Sequence, residues 1–162
     1  MAAWPGAVDR PKRRVGGGTA ILEAMDCVFC TIVRGEAEAS TAYEDERVMA
    51  FMDIAPATPG HLLVVPRRHA EHLADLDPED GAQMFRVAQR LAAAVRRSSI
   101  PADGVNLLVA DGVVAMQEVM HVHLHVLPRT EGDGLSLSAG FHEPDRGTLD
   151  AQAAEIAASL AG

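Results

Sequence analysis

The sequence predicts an α+β fold in which helices pack against an antiparallel sheet. Three observations support this prediction. Several short apolar segments are bounded by glycine, proline or acidic turns, as β-strands commonly are. One long segment, residues 79–97, has the apolar periodicity of an amphipathic helix. The length of 162 residues and the 48% content of hydrophobic residues indicate one domain with an ordinary core.

The first half of the predicted domain contains mostly strands. Residues 27–33 form a short apolar run closed by Gly35, which indicates one or two helical turns or an irregular segment. Strands are predicted over residues 43–46, 48–54 and 61–65, separated by an acidic turn and by Pro-Gly. Their close succession suggests an antiparallel meander.

The second half begins with the long helix predicted over residues 79–97, which follows Pro78. Its predicted apolar face comprises Met84, Phe85, Ala88, Leu91, Ala92 and Val95. Two strands follow at residues 105–109 and 121–127, joined through Asp111-Gly112. Thr148 is predicted to cap a last helix, in which Leu149, Ala153, Ile156 and Leu160 align.

Residues 1–24 differ in composition from the rest of the chain. They hold prolines, a basic cluster and three consecutive glycines, and we expect a flexible N-terminal extension before a domain over residues 25–162. A functional basic arm is the alternative. The net charge of −9 argues against binding to nucleic acid or anionic membranes and favours a small-molecule partner. Because no apolar run has the length of a membrane span, we expect a cytoplasmic protein.

Three histidines alternate with apolar residues in the run 121–127. On a strand, His121, His123 and His125 would share one face, while Val122, Leu124 and Val126 would face the core. The alternative is a polar face on which the histidines are incidental. Imidazole is neutral near pH 7 and can form and release a bond to phosphorus, so the middle residue, His123, is the natural nucleophile.

The two cysteines, Cys27 and Cys30, have the spacing with which two thiolates reach one tetrahedral zinc ion. A redox pair, a disulfide and plain buried thiols are the alternatives. If zinc is bound, two further ligands must come from His61, His69, His72, His121, His123, His125 or His142. His69 and His72 stand three residues apart, on what could be a single helical turn.

The segment from residue 26 to residue 129 resembles the histidine triad (HIT) family of nucleotide hydrolases and transferases, and in particular bacterial-type members with a CxxC zinc site. The matching motifs are CVFC at 27–30, YEDE at 43–46, FMDI at 51–54, PGH at 59–61, PRRH at 66–69, QEV at 117–119, HVHLHVL at 121–127 and PR at 128–129. The resemblance implies the HIT-like α+β fold, a homodimer and a pocket for a purine nucleotide.

The resemblance also implies roles for individual residues. A structural zinc would be held by Cys27, Cys30, His69 and His121, with His72 left outside. His123 would attack the α-phosphorus, while His125 and His61 would hold the phosphate oxygens. The implied nucleotide-binding residues are Asp53 at the ribose, Ile54, Phe29 and Ile32 at the base, and Gln117 and Glu118 beside the phosphate.

Two positions before the triad depart from the family pattern. Ala110 stands where the family usually has asparagine, and Met116 stands where it usually has glycine next to the phosphate. The leading hypothesis is an enzyme that cleaves a bond at the α-phosphate of a purine nucleotide, as a nucleoside phosphoramidase does, through a nucleotidyl-histidine intermediate. The alternatives are a diadenosine polyphosphate hydrolase and a zinc-stabilised nucleotide-binding or interaction protein with little turnover.

Overall fold

Five antiparallel strands form a single sheet in the computed structural model, which describes residues 27–136, 140 and 142–160. Their order across the sheet is β1-β2-β3-β5-β4. The strands are β1 (Thr41–Glu44), β2 (Val48–Met52), β3 (Leu62–Pro66), β4 (Gly104–Val109) and β5 (Leu124–Arg129). The helices are α1 (Val28–Val33), α2 (Pro78–Val95) and α3 (Arg146–Leu160). The predicted α+β class and the antiparallel sheet are therefore confirmed.

The two faces of the sheet carry two separate apolar clusters. Helix α2 covers one face, where its Met84, Val87 and Ala88 pack with residues of β2, β3 and β5. The smaller cluster on the other face joins α1 to β2 and β3 and comprises Cys27, Phe29, Cys30, Met49, Phe51, Leu63 and Val65. Because side chains alternate along a strand, the residues of β2 and β3 that point away from α2 lie on the side of α1.

The long helix was predicted almost correctly. It begins with Pro78 at its first turn and ends at Val95, and Asp77 caps it by accepting a hydrogen bond from Glu79 N at 2.9 Å. The assignment of Phe85 to its apolar face is wrong, because that side chain is 57% exposed. Val87, at 1% exposure, fills the core instead.

The predicted strand over residues 43–46 extends too far. The strand ends at Glu44 because Asp45 turns the chain, its Oδ1 accepting hydrogen bonds from Arg47 N at 2.8 Å and Val48 N at 2.9 Å. The next two strands were predicted closely, although β2 stops at Met52 and β3 begins at Leu62. Asp53, Ile54 and His61 therefore lie just outside the strands.

The histidine run enters the sheet later than predicted. Strand β5 begins at Leu124, because the backbone before it bonds to loops: Val122 N donates to Ala70 O at 2.7 Å, and His121 N to Val119 O at 2.8 Å. The predicted alternation is nevertheless present, since Val122, Leu124 and Val126 belong to the core beneath α2.

The last helix begins three residues earlier than predicted. Asp145, and not Thr148, caps its first turn: Asp145 Oδ1 accepts from Thr148 N at 3.0 Å. The side chains of Leu149, Ile156 and Leu160 are exposed, and no residue of α3 is buried. Within the described ranges, no helix is long and apolar enough to cross a membrane. The predicted extension over residues 1–24 lies outside the described residues.

Candidate active site

Two cysteines and two histidines converge where α1 meets the loop after β3 and the segment before β5. Cys30 Sγ lies 3.3 Å from His69 Nδ1 and 3.5 Å from His121 Nδ1, and Cys27 Sγ lies 3.4 Å from His121 Nδ1. The two Nδ1 atoms are 3.4 Å apart. Donor atoms around a tetrahedral zinc ion lie roughly 3.3 to 3.8 Å from one another, so these four side chains match the donor set and the spacing of a structural zinc site.

The tautomer of His121 also suits a metal ligand. Its Nε2 lies 2.9 Å from Pro66 O, and a carbonyl can only accept, so the proton is on Nε2 and Nδ1 is bare toward the cysteines. Burial lowers the pKa of His121 to about 4, which keeps the ring neutral. Burial raises the pKa of the Cys30 thiol to about 11. Since zinc deprotonates a thiol that it binds, loading the site would release protons.

The middle histidine of the triad is held by a backbone carbonyl. His123 is 5% exposed, and its Nδ1 lies 2.8 Å from His121 O. This carbonyl fixes the proton on Nδ1 and leaves the Nε2 lone pair free. Burial lowers the pKa of His123, so the ring is neutral near pH 7. A neutral imidazole with one bare nitrogen can attack an electrophile without a separate base.

The other two catalytic candidates form a hydrogen-bonded pair beside it. Ala57 N donates to His61 Nδ1 at 3.2 Å, which places the proton of His61 on Nε2, 2.9 Å from His125 Nδ1. His125 then carries its own proton on Nε2, which becomes the donor at the end of this chain. Burial lowers the pKa of His61, against the opposing charge of Asp53, and lowers that of His125 to about 4.

The three rings lie in sequence. The ring centroids of His61 and His125 are 5.1 Å apart, and those of His125 and His123 are 4.7 Å apart. The Asp53 carboxylate is 3.4 Å from His61 Nδ1 and its side chain is 19% exposed. The structure thus brings together a bare nitrogen, an N–H donor and a carboxylate beside the two interior strands β3 and β5.

The side chains predicted to line the pocket for the purine base do not come together as the histidines do. Ile54 is 99% exposed and packs against nothing, whereas Phe29 is 7% exposed and packs inside the second apolar cluster. Ile32 is half-buried at the margin of that cluster. The structure therefore does not assemble these three side chains into one pocket.

The loop before the triad is closed by the side chain of Gln117. This residue is 2% exposed: its Oε1 accepts from Gly112 N at 2.7 Å, and its Nε2 donates to Glu71 O at 2.8 Å. Met116 has a φ of 71°, in the left-handed region that favours glycine, and Glu118 is exposed. The Gln117 amide is thus occupied by the backbone, so the loop can offer a ligand mainly its own backbone and Glu118.

Sequence reasoning missed several partners of the histidines. The N–H of Ala57 and the carbonyl of Pro66 set tautomers, but backbone groups have no sequence signature. The interpretation of His69 and His72 as one helical turn is wrong, because His69 lies in a loop and His72 precedes a 3-10 turn at Leu73–Asp75. His72 Nδ1 lies 3.0 Å from Asp111 Oδ1, away from the cysteines.

The chain matches a known protein family. The model of the HIT domain family matches residues 34–132, which include the triad but not the two cysteines. An uncharacterized HIT-like protein of Mycobacterium tuberculosis is 47% identical over 125 residues, 75% of this chain and 86% of its own length. The adenylylsulfatase HINT3 of Arabidopsis thaliana is 34% identical over 131 residues, 81% of this chain and 66% of its own length.

One solved structure has a similar fold. It is a Zn-bound histidine triad family protein from Mycobacterium smegmatis, which superposes with a TM-score of 0.67 at 45% identity and covers 84% of this chain and 99% of the other. Fold, sequence match and solved structure agree, and the chain belongs to the HIT domain family, whose members are nucleotide-binding hydrolases and transferases.

Proposed function

We propose that this protein is a nucleotide hydrolase or transferase that cleaves a bond at the α-phosphate of a purine nucleotide, through a covalent intermediate on His123. The observation that carries the proposal is the hydrogen bond from His123 Nδ1–H to the His121 carbonyl, 2.8 Å long, in a buried and neutral ring. It leaves Nε2 as the only nitrogen of His123 that can attack. The adenylylsulfatase among the relatives supports chemistry at an adenylyl group.

In the first step, His123 Nε2 attacks the α-phosphorus. A nitrogen–phosphorus bond forms as the bond to the leaving group breaks, and the leaving group departs with the electron pair and takes up a proton. The nucleotidyl imidazole keeps its Nδ1–H on the His121 carbonyl, which stabilises the positive charge that develops on the ring. His125 Nε2–H donates to a phosphate oxygen, and His61 orients His125 through the 2.9 Å hydrogen bond.

In the second step, water attacks the same phosphorus. The nitrogen–phosphorus bond breaks, the nucleoside monophosphate leaves, and His123 recovers its bare Nε2. The attacking water releases its proton to solvent, and this replaces the proton that the leaving group took up from solvent in the first step. Asp53, whose carboxylate lies 3.4 Å from His61 Nδ1, would accept hydrogen bonds from the ribose hydroxyls, and the backbone around Gln117 and Glu118 would border the phosphate.

Zinc has a structural role in this proposal. Cys27, Cys30, His69 and His121 would hold one ion, which would fasten α1 to the segment before β5. The ion would supply no reacting group, because four protein ligands would leave no open position for substrate or water. The Zn-bound relative from Mycobacterium smegmatis supports the choice of metal.

The proposed assembly is a homodimer. Among the described residues, β4 is an edge strand that pairs on one side only, and its Leu107 and Val109 side chains are 37% and 36% exposed. An edge strand with apolar side chains tends to pair with another chain. Sedimentation of the purified protein measures this directly, and a monomer at micromolar concentration would contradict it.

Trapping the intermediate tests the function. The wild type, mixed with an adenosine 5′-phosphoramidate and quenched in less than one turnover, should gain the mass of one adenylyl group on the peptide that contains His123. His123→Ala should form no adduct and should lose nearly all turnover, as when an activated nucleophile is removed, yet still bind nucleotide. The matched control is His72→Ala, which changes an exposed histidine outside the triad.

Two substrates separate the enzymatic alternatives. A phosphoramidate and a diadenosine polyphosphate share the adenylyl group and differ in the leaving group, so the ratio of kcat/KM values identifies the preferred class. A wild type that binds nucleotide, forms no adduct and turns over neither substrate faster than His123→Ala would contradict the enzymatic proposal. It would favour the binding protein.

A further inference from the structure

A groove runs between strand β1 and the second half of α2. Its volume is about 490 Å³, within the range of about 300 to 1,000 Å³ that is usual for ligand sites. The apolar lining of this β1–α2 groove includes Val87, Leu91 and Ala94, and its polar lining includes Tyr43, Arg90 and Arg97. Strand β1 is the last strand on its side of the sheet within residues 27–136, 140 and 142–160. Strands β2 and β3 separate the groove from β5 and its His125.

The arginines beside the groove differ from the other arginines of the domain. Those that pair with a carboxylate are Arg34, Arg47, Arg67, Arg68 and Arg129. In the part of the chain that the structure describes, Arg86, Arg90 and Arg97 have no such ion pair, although the protein contains 23 acidic residues. All three side chains are exposed. Their charges are therefore free to meet an anionic partner.

Arg86, Arg90 and Arg97 form one stripe along α2. At 3.6 residues per turn, their spacing places them within about 40° of one another around the helix axis and along roughly 16 Å of its length. Arg96 points elsewhere, because its Nη1 donates to Asp103 O at 3.3 Å. The last turn of α2 contains no basic residue, and the helix dipole acts mainly within that turn. The dipole therefore does not account for Arg86 and Arg90.

Tyr43 holds Arg90 at the groove. The guanidinium carbon of Arg90 lies 4.9 Å from the centroid of the Tyr43 ring, and Arg90 Nη1 donates to the Tyr43 hydroxyl at 3.4 Å. That hydroxyl donates in turn to Asp45 Oδ2 at 2.8 Å. A guanidinium has five N–H donors, so Arg90 keeps donors for a ligand. Because stacking already restricts the side chain, Arg90 would lose less freedom on binding a carboxylate than an arginine without such a contact.

We propose that the β1–α2 groove binds an acidic peptide segment, with carboxylates at Arg90 and Arg97 and an apolar side chain against Leu91 and Ala94. The charges of the groove and of such a segment are complementary. The inference goes beyond the proposed function, since it needs no nucleotide and uses none of the histidines.

The dimensions of the stripe suit an extended segment. A strand rises about 3.3 Å per residue, so about five residues span the length of the stripe. Acidic side chains at every second position of that segment would stand roughly 6.5 to 7 Å apart, close to the roughly 6 Å rise between Arg86 and Arg90. The side chains between them would face away from the arginines.

The net charge of −9 decides between anionic partners. A nucleic acid or an anionic membrane extends far beyond the groove and would meet the acidic surface around it. A short peptide contacts only the arginine stripe, and charges more than about 10 Å away are largely screened at 0.1 M salt. The apolar lining also favours a partner that offers an apolar side chain together with its carboxylates.

The test begins with short random peptides displayed on phage and selected on the full chain. The selected sequences should be rich in Asp and Glu and should contain an apolar residue. Fluorescence anisotropy of the tightest selected peptide then gives its Kd. The same peptide with Gln and Asn in place of Glu and Asp should bind about tenfold more weakly, since each exposed ion pair is worth up to about fivefold.

Two neighbouring arginines provide the matched comparison. Arg97→Ala should weaken binding of the selected peptide by up to about fivefold, and Arg90→Ala with Arg97→Ala by about tenfold. Arg96→Ala makes the same change of charge one residue away and should leave the Kd within about twofold of the wild type. Formation of the adenylyl adduct should be unchanged in Arg97→Ala. If loss of the Tyr43 contact unfolds the double variant, Arg97→Ala alone decides.

The position of the bound peptide can be measured directly. In NMR spectra of the full chain, the backbone amide signals of β1 and of the second half of α2 should shift when the peptide is added, and those of the histidine run should not. A selection without acidic sequences, or shifts confined to other elements, would overturn the inference. Equal weakening by Arg96→Ala and Arg97→Ala would mean that only net charge matters. Single-stranded DNA or phosphatidylserine vesicles that displace the peptide and depend equally on Arg97 would indicate a general polyanion surface.

Discussion

Acidification should lower the free energy of unfolding at pH values above those at which most carboxylates titrate. The reason is that His61, His123 and His125 are neutral in the folded protein. Burial lowers the pKa of His125 to about 4 and also lowers the pKa values of His61 and His123. In the unfolded chain, histidine has a pKa of about 6.5. Between these two values the unfolded state binds a proton that the folded state does not, so stability decreases as the pH decreases.

The magnitude follows from the shift of His125 alone. Lowering the pKa of His125 from 6.5 to about 4 corresponds to about 3.5 kcal/mol of stability, at about 1.4 kcal/mol for each pH unit, and most of this is lost between pH 6.5 and pH 4. Because the side chain is only partly buried, this figure is an upper value. His61 and His123 add to it with the same sign. The carboxylates stay charged in the unfolded chain until about pH 4, so the upper part of this window reports histidine.

The assay is urea unfolding of the full chain at half-unit steps from pH 7 to pH 4.5. The matched variant is His125→Gln, which keeps an acceptor near His61 and cannot titrate. Protons also compete with any metal bound by the cysteines and by His69 and His121, and that effect is common to both proteins. The difference between their slopes therefore isolates His125.

The expected slope difference is up to about 1.4 kcal/mol per pH unit, steeper in the wild type. The rate should behave differently from the stability. Adduct formation requires neutral rings, so its acid limb should have a midpoint below 6.5, the value of an ordinary histidine. Parallel stability curves for wild type and His125→Gln down to pH 4.5 would refute the reasoning, because they would mean that His125 gains a proton equally easily in both states.

Three further predictions concern the metal, the loop and the tail. We expect the wild type to bind roughly one zinc per chain, and Cys30→Ser should lose this ion and unfold at a lower temperature; equal zinc contents by elemental analysis would contradict this. Met116→Gly should raise the free energy of unfolding by up to about 1 kcal/mol because it relieves a positive φ, while Val114→Gly should lower it in the same urea titration. A chain beginning at Met25 should match the thermal unfolding and turnover of the full chain, and a clear loss would show that the extension packs on the domain.

The spacing of apolar residues predicted the buried faces of β5 and α2. Because Val122, Leu124 and Val126 alternate with histidines, they were predicted to face the core. The apolar spacing of α2 predicted that Met84 and Ala88 face the same core. Each of these two predictions depends only on the spacing of apolar residues within one element. The start of β5 could not be found in this way, because Val122 N bonds to Ala70, a residue far away in the chain.

The protonation pattern of the site depends on pairings between distant segments. Strands β3 and β5 pair with Leu63 opposite His125, which sets His61 diagonally across from His125 and lets their nitrogens meet. The carbonyls of Pro66 and His121 then fix which nitrogen of each neighbouring ring is bare. The sequence could suggest which histidines matter, but the side of each ring that carries the proton follows only from the register.

The neutral histidines offer a way for an acidic protein to bind an anionic phosphate. Arg67 and Arg68, the nearest basic pair in the sequence, are held by Glu44 at 2.7 Å and Asp77 at 2.6 Å. The carboxylates whose charge reaches His123 are Asp53 and Glu118. In the proposed function, such a site would hold phosphate through N–H donors that carry no net charge. Neutral rings with a fixed tautomer would then serve both tasks, since His125 would supply the donor while His123 keeps its lone pair.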